Sequence, residues 1–277
     1  MQHTHISAKQ NPFDLRLQEF WQYRDLVWLF TRRSFMVGYM QTILGPLWLF
    51  INPLLTSITY VVLFGNIAKL STDGVPQLLC YLSGHALWSF FAGCVTSNAS
   101  TFTDNANLFG KVYFPRLVMP VSSVLSKLIL FGIQMLLVLV LLIWYSCKGM
   151  VSPLWHLWFL LPLLLLQLGL LGMGVGIIIS SLTTKYRDLR ILVDFGVSLW
   201  MYATPVVYPL STVSAELRRI LRFNPVTPVM ELYRRLLLGV GQVDGSALSW
   251  SVLFTLVVAF AGVVIFNHTE RTFMDTV

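Results

Sequence analysis

Charged side chains are scarce in this sequence: they make up 11% of the 277 residues, whereas 56% are hydrophobic. So few charges cannot coat a water-soluble globule of this size, which excludes an ordinary soluble domain. No polar stretch is long enough to fold by itself. The composition therefore predicts an all-α integral membrane protein, with a membrane domain over residues 41–277 and a short N-terminal segment over residues 1–40.

Motifs that carry catalysis are missing as well. The sequence contains no Gly-x-x-x-x-Gly-Lys-Ser/Thr loop, so it offers no loop of that kind for ATP phosphates. Its five histidines have no partners at metal-ligand spacing, and Cys80, Cys94 and Cys147 lie in or beside apolar segments. We therefore predict a protein that is not an enzyme and that binds no metal and no cofactor by itself.

Positive charge is in excess, with a net charge of +7. The basic residues fall mainly between the apolar segments, where Lys and Arg orient a membrane protein and contact lipid headgroups. We therefore expect membrane lipids, and no nucleic acid, among the partners of this chain.

Six apolar segments approach the length of about 20 residues that a helix needs to cross a bilayer. They lie at residues 44–64, 77–95, 119–145, 154–182, 191–208 and 247–266. The N-terminal segment and the second and fourth connections are basic, which indicates that they are cytoplasmic. Both termini are therefore predicted to be cytoplasmic.

Two further segments are helical in pattern but are not expected to cross. Residues 14–35 alternate aromatic and charged side chains, which predicts an amphipathic helix in the interface plane. Residues 211–223 and 227–238 form two short amphipathic segments, interrupted by Asn224-Pro225 and ended by Gly239. We predict an outer re-entrant helical hairpin between the fifth and sixth spans; a hairpin lying flat on the outer surface is the alternative.

Charges inside the predicted spans are costly and therefore informative. Lys127 lies in the third span and Asp194 in the fifth. An ion pair between Arg190 and Asp194 is one interpretation, and a cytoplasmic entrance lined by Lys127 and Asp194 is the other. In the fourth span, Gly172 and Gly176 allow close helix packing, either within one chain or between two subunits.

Aromatic residues make up 14% of the sequence, and several fall inside the predicted spans. Sugars stack on aromatic faces, so these side chains are candidates for lining a passage for a glycan, with interfacial belts and lipid packing as the alternative. The candidates are Trp48, Tyr60, Tyr81, Trp88, Trp200 and Tyr202.

Several blocks of the sequence carry a family resemblance. Residues 41–48 read Gln-Thr-Ile-Leu-Gly-Pro-Leu-Trp, residues 105–116 read Asn-Ala-Asn-Leu-Phe-Gly-Lys-Val-Tyr-Phe-Pro-Arg, and residues 185–190 read Lys-Tyr-Arg-Asp-Leu-Arg. With Asn224-Pro225, these blocks resemble, in the same order, those of ABC-2 type permeases that export O-antigen and other surface polysaccharides. The similarity runs from about residue 20 to the end of the chain.

This resemblance implies a homodimer of six-span permeases in the bacterial inner membrane, joined to two copies of a separate ATPase that holds ATP and Mg. It implies export of a glycan linked to undecaprenyl diphosphate, of O-antigen type. Export of teichoic acid or capsular polysaccharide by the same machinery is the nearest alternative. A permease for drugs or small lipids, and a membrane-bound glycosyltransferase, are alternatives of other classes.

The resemblance also assigns roles to residues. Contacts that couple the permease to the ATPase are expected from two cytoplasmic segments, with Phe109 as an apolar knob; the residues are Asn105, Asn107, Phe109, Lys111, Tyr113, Arg116, Lys185, Arg187, Asp188 and Arg190. The outer hairpin is expected to gate the pathway or to receive the lipid phosphate; its candidates are Arg218, Arg219, Arg222, Asn224 and Pro225.

Overall fold

The structure is a computed structural model that describes residues 21–39, 44–109, 114–183 and 189–276. These residues form helices and connections, and no β-strand occurs among them. The α-helices are α1 (Arg24–Tyr39), α2 (Trp48–Tyr60), α3 (Gln77–Ala99), α4 (Thr101–Asp104), α5 (Ala106–Phe109), α6 (Val118–Cys147), α7 (Leu161–Thr183), α8 (Leu189–Tyr202), α9 (Ala215–Leu221), α10 (Val226–Leu238) and α11 (Gly245–Thr276).

Five helical segments of the described chain are long and apolar enough to cross a membrane, and they confirm five of the six predicted spans. They are Gly45–Ile67, Gln77–Ala99, Val118–Cys147, Trp155–Thr183 and Gly245–Thr269. The first combines a 3₁₀ turn, α2 and a π-helical turn over Val61–Ile67, and the fourth begins with a 3₁₀ turn over Trp155–Leu160.

The fifth predicted span is shorter than expected. Its helix α8 has 14 residues, about 21 Å at 1.5 Å per residue, and it ends at Tyr202 instead of continuing to residue 208. Turns follow because Pro205 lacks a backbone N–H and disfavours helical geometry at Thr204. The predicted C-terminal end of this span is therefore wrong, and the crossing itself stays a prediction.

Helix α3 is the centre of the bundle. Its side chains are buried on all sides, among them Leu79, Tyr81, Leu87, Phe91 and Cys94, because α2, α6, α7 and α8 surround it. A helix that is apolar all round is expected in this position. The other spans expose apolar faces, as a lipid-facing helix requires.

Small residues bring α7 against its two neighbours. A Cβ atom at Gly176 would lie 2.5 Å from the Cβ of Asn98 on α3, and one at Gly174 would lie 2.9 Å from the Cα of Ala259 on α11. Gly172 meets Cys94 in the same way. Of the two interpretations of this glycine-rich segment, the structure shows packing within one chain at these positions.

Helix α1 lies against α6 through one face and exposes the other. Val27 and Phe30 are buried, whereas Trp28 and Leu29 are exposed together with the charged side chains of the helix. The helix agrees with the prediction for residues 14–35, but its exposed face carries apolar as well as charged side chains; residues 14–20 lie outside the described chain. Its position in the membrane interface stays a prediction.

The predicted outer hairpin consists of two unequal helices. Helix α9 is exposed over most of its seven residues, and the Ser214 hydroxyl at its N-cap accepts a hydrogen bond from the Leu217 N–H. Helix α10 is almost completely buried against α3, α7 and α11, and it ends at Gly239 with a left-handed φ of +74°. Insertion of this pair into the bilayer stays a prediction.

Candidate functional site

An ion pair ties one of the two segments predicted to contact an ATPase to the residue just before the other. Nη1 of Arg190, in the first turn of α8, lies 3.2 Å from Oδ1 of Asp104, at the end of α4. The Ser100 hydroxyl donates to Oδ2 of the same carboxylate over 2.6 Å. Sequence reasoning placed both segments on one side of the membrane but missed Asp104 as the residue that connects them.

Phe109 faces inward among the described residues, and its predicted role as an apolar knob for the ATPase stays a prediction. Its ring is 4% exposed and lies 6.1 Å from the Phe102 ring and 5.8 Å from the Phe114 ring. The guanidinium of Arg116, itself buried, lies 5.3 Å from the centre of the Phe109 ring. This aromatic cluster also includes Phe266 of α11, stacked on Phe102 at 4.4 Å.

The other predicted coupling residues divide into two sets. The Asn105 amide donates to the Thr101 carbonyl over 2.9 Å, which fixes the connection between α4 and α5. The following lie outside what the structure describes: the side chain of Asn107, and residues Lys111, Tyr113, Lys185, Arg187 and Asp188.

A polar cavity of about 590 Å³ lies beside the Asp104–Arg190 pair, between α1, α3, α6 and α8. Both charges predicted inside the spans, Lys127 and Asp194, line it, as does Asn105. Hydroxyl side chains form most of the remaining wall; they are Ser34, Thr96, Ser97, Ser100, Thr101, Ser122, Ser123 and Ser126. Of the two interpretations of Lys127 and Asp194, the lined cavity is the one that the structure supports.

The alternative ion pair within α8 is wrong. Arg190 binds Asp104 on another helix, and Asp194 has no ion pair with any of the described residues. Lys127 likewise has no anionic partner in the described part of the chain, and its aliphatic carbons cover Gly93. Two groups that are costly to place in a membrane thus face the same cavity without neutralising each other.

An apolar groove of about 620 Å³ lies on the other side of α8, between α3, α7 and α8. Leucine, isoleucine and valine side chains line most of it, together with Trp200. Val193 lines both the polar cavity and the apolar groove, so the two spaces adjoin along α8.

Four of the six aromatic candidates form two clusters. The Tyr60 ring lies 6.4 Å from Tyr81 and 5.8 Å from His85. The Trp200 ring lies 5.1 Å from Phe91, which lies 5.4 Å from Trp88. Tyr81 and Trp88 are buried in the single chain, so in this conformation they do not line a passage.

The remaining two aromatic candidates lie apart from these clusters. Trp48 is half-buried at the start of α2, and Tyr202 is exposed at the end of α8. Tyr202 therefore remains accessible to a ligand, to lipid or to another subunit.

Asn224 connects α8 to the start of α10. Its Oδ1 accepts from the indole N–H of Trp200 over 3.1 Å and from the Val226 N–H over 3.1 Å, and its amide donates to the Ala203 carbonyl. The Pro225 carbonyl accepts a hydrogen bond from Ser251 of α11. Asn224 and Pro225, two of the predicted gate residues, therefore connect α8, the start of α10 and α11.

The three arginines of α9 and its C-terminal end differ in their surroundings. Arg218 donates to the carbonyls of Ser211 and Val213, and Arg219 is exposed. Arg222 lies 2.9 Å from Asp244, just before α11. Hydrogen bonds from Ser246 to Asp244, followed by the positive charge of Arg222, hold the pKa of Asp244 below its ordinary value.

A buried ion pair in α10 was missed by the sequence analysis. Arg234 and Glu231 have side chains 1–2% exposed, with Nη1 and Oε1 3.5 Å apart. Arg234 also donates to the carbonyls of Val206 and Tyr208, over 2.7 and 3.0 Å, while Glu231 accepts from the Gln242 N–H over 2.9 Å. The available signal was an acid and a base three residues apart in a helix of mostly apolar residues.

Comparisons with known proteins identify the family of this chain. The family model described as ABC-2 type transporter matches residues 25–238. The chain is 30% identical to the O-antigen export system permease protein RfbA of Myxococcus xanthus, over 94% of this chain and 98% of that one. It is 26% identical to a protein of the same name from Klebsiella pneumoniae, over 91% and 94%, and 21% identical to the polysialic acid transport protein KpsM of Escherichia coli, over 84% and 89%. With five helical segments of the described chain long and apolar enough to cross a membrane, this multi-pass membrane protein belongs to the ABC-2 type transporter family.

Proposed function

We propose that this chain is the permease subunit of an ABC exporter that moves an O-antigen-type polysaccharide, linked to undecaprenyl diphosphate, across the inner membrane. The observation that carries the proposal is the similarity to the two O-antigen export permeases, which extends over nine-tenths of the chain. The absence of a phosphate-binding loop from the sequence supports an ATPase on a separate subunit.

An amphipathic substrate is supported by the two spaces beside α8. A lipid-linked glycan has a polar head and a hydrocarbon tail, and the polar cavity adjoins the apolar groove at Val193. We assign the groove to the hydrocarbon tail of the substrate, because its apolar surface favours contact with hydrocarbon. The hydroxyl groups of the adjoining cavity can form hydrogen bonds with the polar part of the same molecule.

Coupling to the ATPase is proposed to pass through the segment around α4 and α5 and through the start of α8. The Asp104–Arg190 pair and the Phe109 cluster would make these segments move together when the ATPase pair closes. Such coupling requires contacts that differ between the nucleotide states of the ATPase. The permease is proposed to act as a homodimer, with the pathway between its two copies.

Capsular polysaccharide export is the second candidate. The similarity to the polysialic acid transport protein favours it, although the identity there is 21% against 30% for the O-antigen permease. Both candidates share the mechanism and differ in the glycan.

Deleting the gene tests the proposal. We expect surface polysaccharide to be lost and lipid-linked glycan to accumulate inside the inner membrane, with both effects reversed by the gene on a plasmid. Unchanged surface polysaccharide, with no glycan retained inside, would contradict export. Serology with antisera to O-antigen and to capsule would distinguish the two candidates.

A further inference from the structure

The polar cavity contains more hydrogen-bonding groups than the fold uses. Ser100 and Ser122 are satisfied by Asp104 and by the Met119 carbonyl. In contrast, the side-chain hydroxyl groups of Ser97, Ser123 and Ser126 make no hydrogen bond to any residue that the structure describes. Hydroxyl groups that face a cavity without protein partners bind water or a ligand.

The charges around the cavity limit the kind of ligand. Arg190 and Asp104 neutralise each other, which leaves the Lys127 ammonium and the Asp194 carboxylate without ion-pair partners among the described residues. Because the charges of Arg190 and Asp104 cancel, a diphosphate would be attracted by Lys127 and repelled by Asp194 to a similar extent. An apolar ligand would leave the hydroxyl groups unpaired.

A neutral polyhydroxylated ligand fits all of these groups together. Each sugar hydroxyl is both a donor and an acceptor, so it pairs with serine hydroxyls, accepts from Lys127 and donates to Asp194. Hydrogen bonds to charged groups are the stronger ones, so these two residues are expected to contribute most to binding. The volume of about 590 Å³ lies within the range of about 300–1,000 Å³ that small-molecule sites occupy.

We propose that this cavity binds neutral sugar residues of the exported glycan, with Lys127 as the principal donor, Asp194 as the principal acceptor and Ser97, Ser123 and Ser126 completing the site. The proposal rests on the proposed export function and places the sugar in a hydroxyl-lined space instead of among the aromatic candidates. The site is bordered by the Asp104–Arg190 pair, so a bound sugar would lie next to the segments assigned to ATPase coupling.

Photo-crosslinking in cells tests the site directly. The complete exporter would carry p-benzoylphenylalanine in place of Ser123, in a strain whose own gene is deleted, and adducts would be probed with antiserum to the strain's polysaccharide. Leu128 is the matched control, because it lies on the same helix, is 37% exposed and does not line the cavity. We expect at least a fivefold stronger polysaccharide signal from position 123, lost when glycan synthesis is blocked.

Other adducts would overturn the proposal. Three results at position 123 would each contradict a sugar site. They are a crosslink only to phospholipid, a crosslink only to a second copy of the chain, and no crosslink while export continues. If the variant at position 123 does not accumulate, the same probe at Ser97, on the facing helix α3, decides.

Substitutions separate this inference from the export function itself. We expect Lys127→Met and Asp194→Asn each to lower the export rate about tenfold, because losing one hydrogen bond to a charged group weakens binding by about that factor. Lys127→Arg keeps the positive charge and should therefore retain most of the normal export rate. The polysaccharide crosslink at position 123 should fall in parallel with export. If deletion of the gene abolishes export but both variants export at the normal rate, the sugar site is wrong and the export function stands.

Discussion

At the scale of the residue, the buried Glu231–Arg234 pair connects α10 to the turn after α8 and to the backbone after α10. Arg234 binds two carbonyls of the turn after α8, and Glu231 binds the backbone after α10. A buried charge without its partner is strongly destabilising, although a buried ion pair as a whole adds little net stability. Both residues are therefore positioning residues of the fold.

Arg234→Met should lower the stability of the protein by about 3–5 kcal/mol, because Glu231 and two carbonyls would remain buried without their partner. The measurement is thermal unfolding of the purified protein in detergent. Arg235→Met is the control, since Arg235 is the exposed neighbour and should change stability by less than about 0.5 kcal/mol. Equal stability of the two variants would contradict the structural role of Arg234.

The stability of the protein is expected to depend on pH through Asp244, which lies just before α11. Because its pKa is lower in the folded protein than the value of about 3.9 in an unfolded chain, its ionised form stabilises the fold above that value. The contribution is lost as the pH falls through the folded pKa. We expect Asp244→Asn to lower the Tm at pH 7 and to approach the wild-type Tm below pH 4. A Tm difference that does not depend on pH would contradict this expectation.

At the scale of the element, the contact between α3 and α7 depends on glycine. Gly176→Val would place side-chain atoms where the Val95 carbonyl and Asn98 now lie, so the helices must separate. We expect a loss of about 1–3 kcal/mol, the usual cost of overpacking, and a lower yield of folded protein. Gly132→Val on α6 is the matched control, because a Cβ atom at that position would point into open space, and it should cost less.

The Asp104–Arg190 pair joins two elements and should matter for coupling more than for stability. Its side chains are 47% and 61% exposed, so the pair stabilises the fold by about 0–1 kcal/mol. If it transmits movement between α4 and α8, Asp104→Arg should reduce export at least fivefold. The exchange variant with Arg190→Asp should restore at least half of the normal rate.

Export assays in cells, with thermal unfolding as the control for folding, measure both effects. Reduced export with an unchanged Tm, and recovery in the exchange variant, are the expected results. Normal export in Asp104→Arg would show that the pair does not couple the two segments.

At the scale of the whole molecule, the number of crossings determines where the termini lie. Five crossings place the termini on opposite sides of the membrane, whereas a sixth crossing by α8 places both on the same side. We expect epitope tags at both ends to be protected from protease in spheroplasts, whose outer membrane has been opened, and cleaved in inverted inner-membrane vesicles. A tag that is cleaved from outside at one end only would show that α8 does not cross.

The sequence by itself determined the membrane class, five of the spans and the two short helices α9 and α10, because apolar length, proline and glycine act locally along the chain. It also identified Lys127 and Asp194 as unusual charges. The tertiary structure alone decided that they face one cavity, that Arg190 pairs with Asp104 instead of Asp194, and that Phe109 points inward. Such contacts join residues far apart in the chain, and only the packing of helices against one another selects which partners meet.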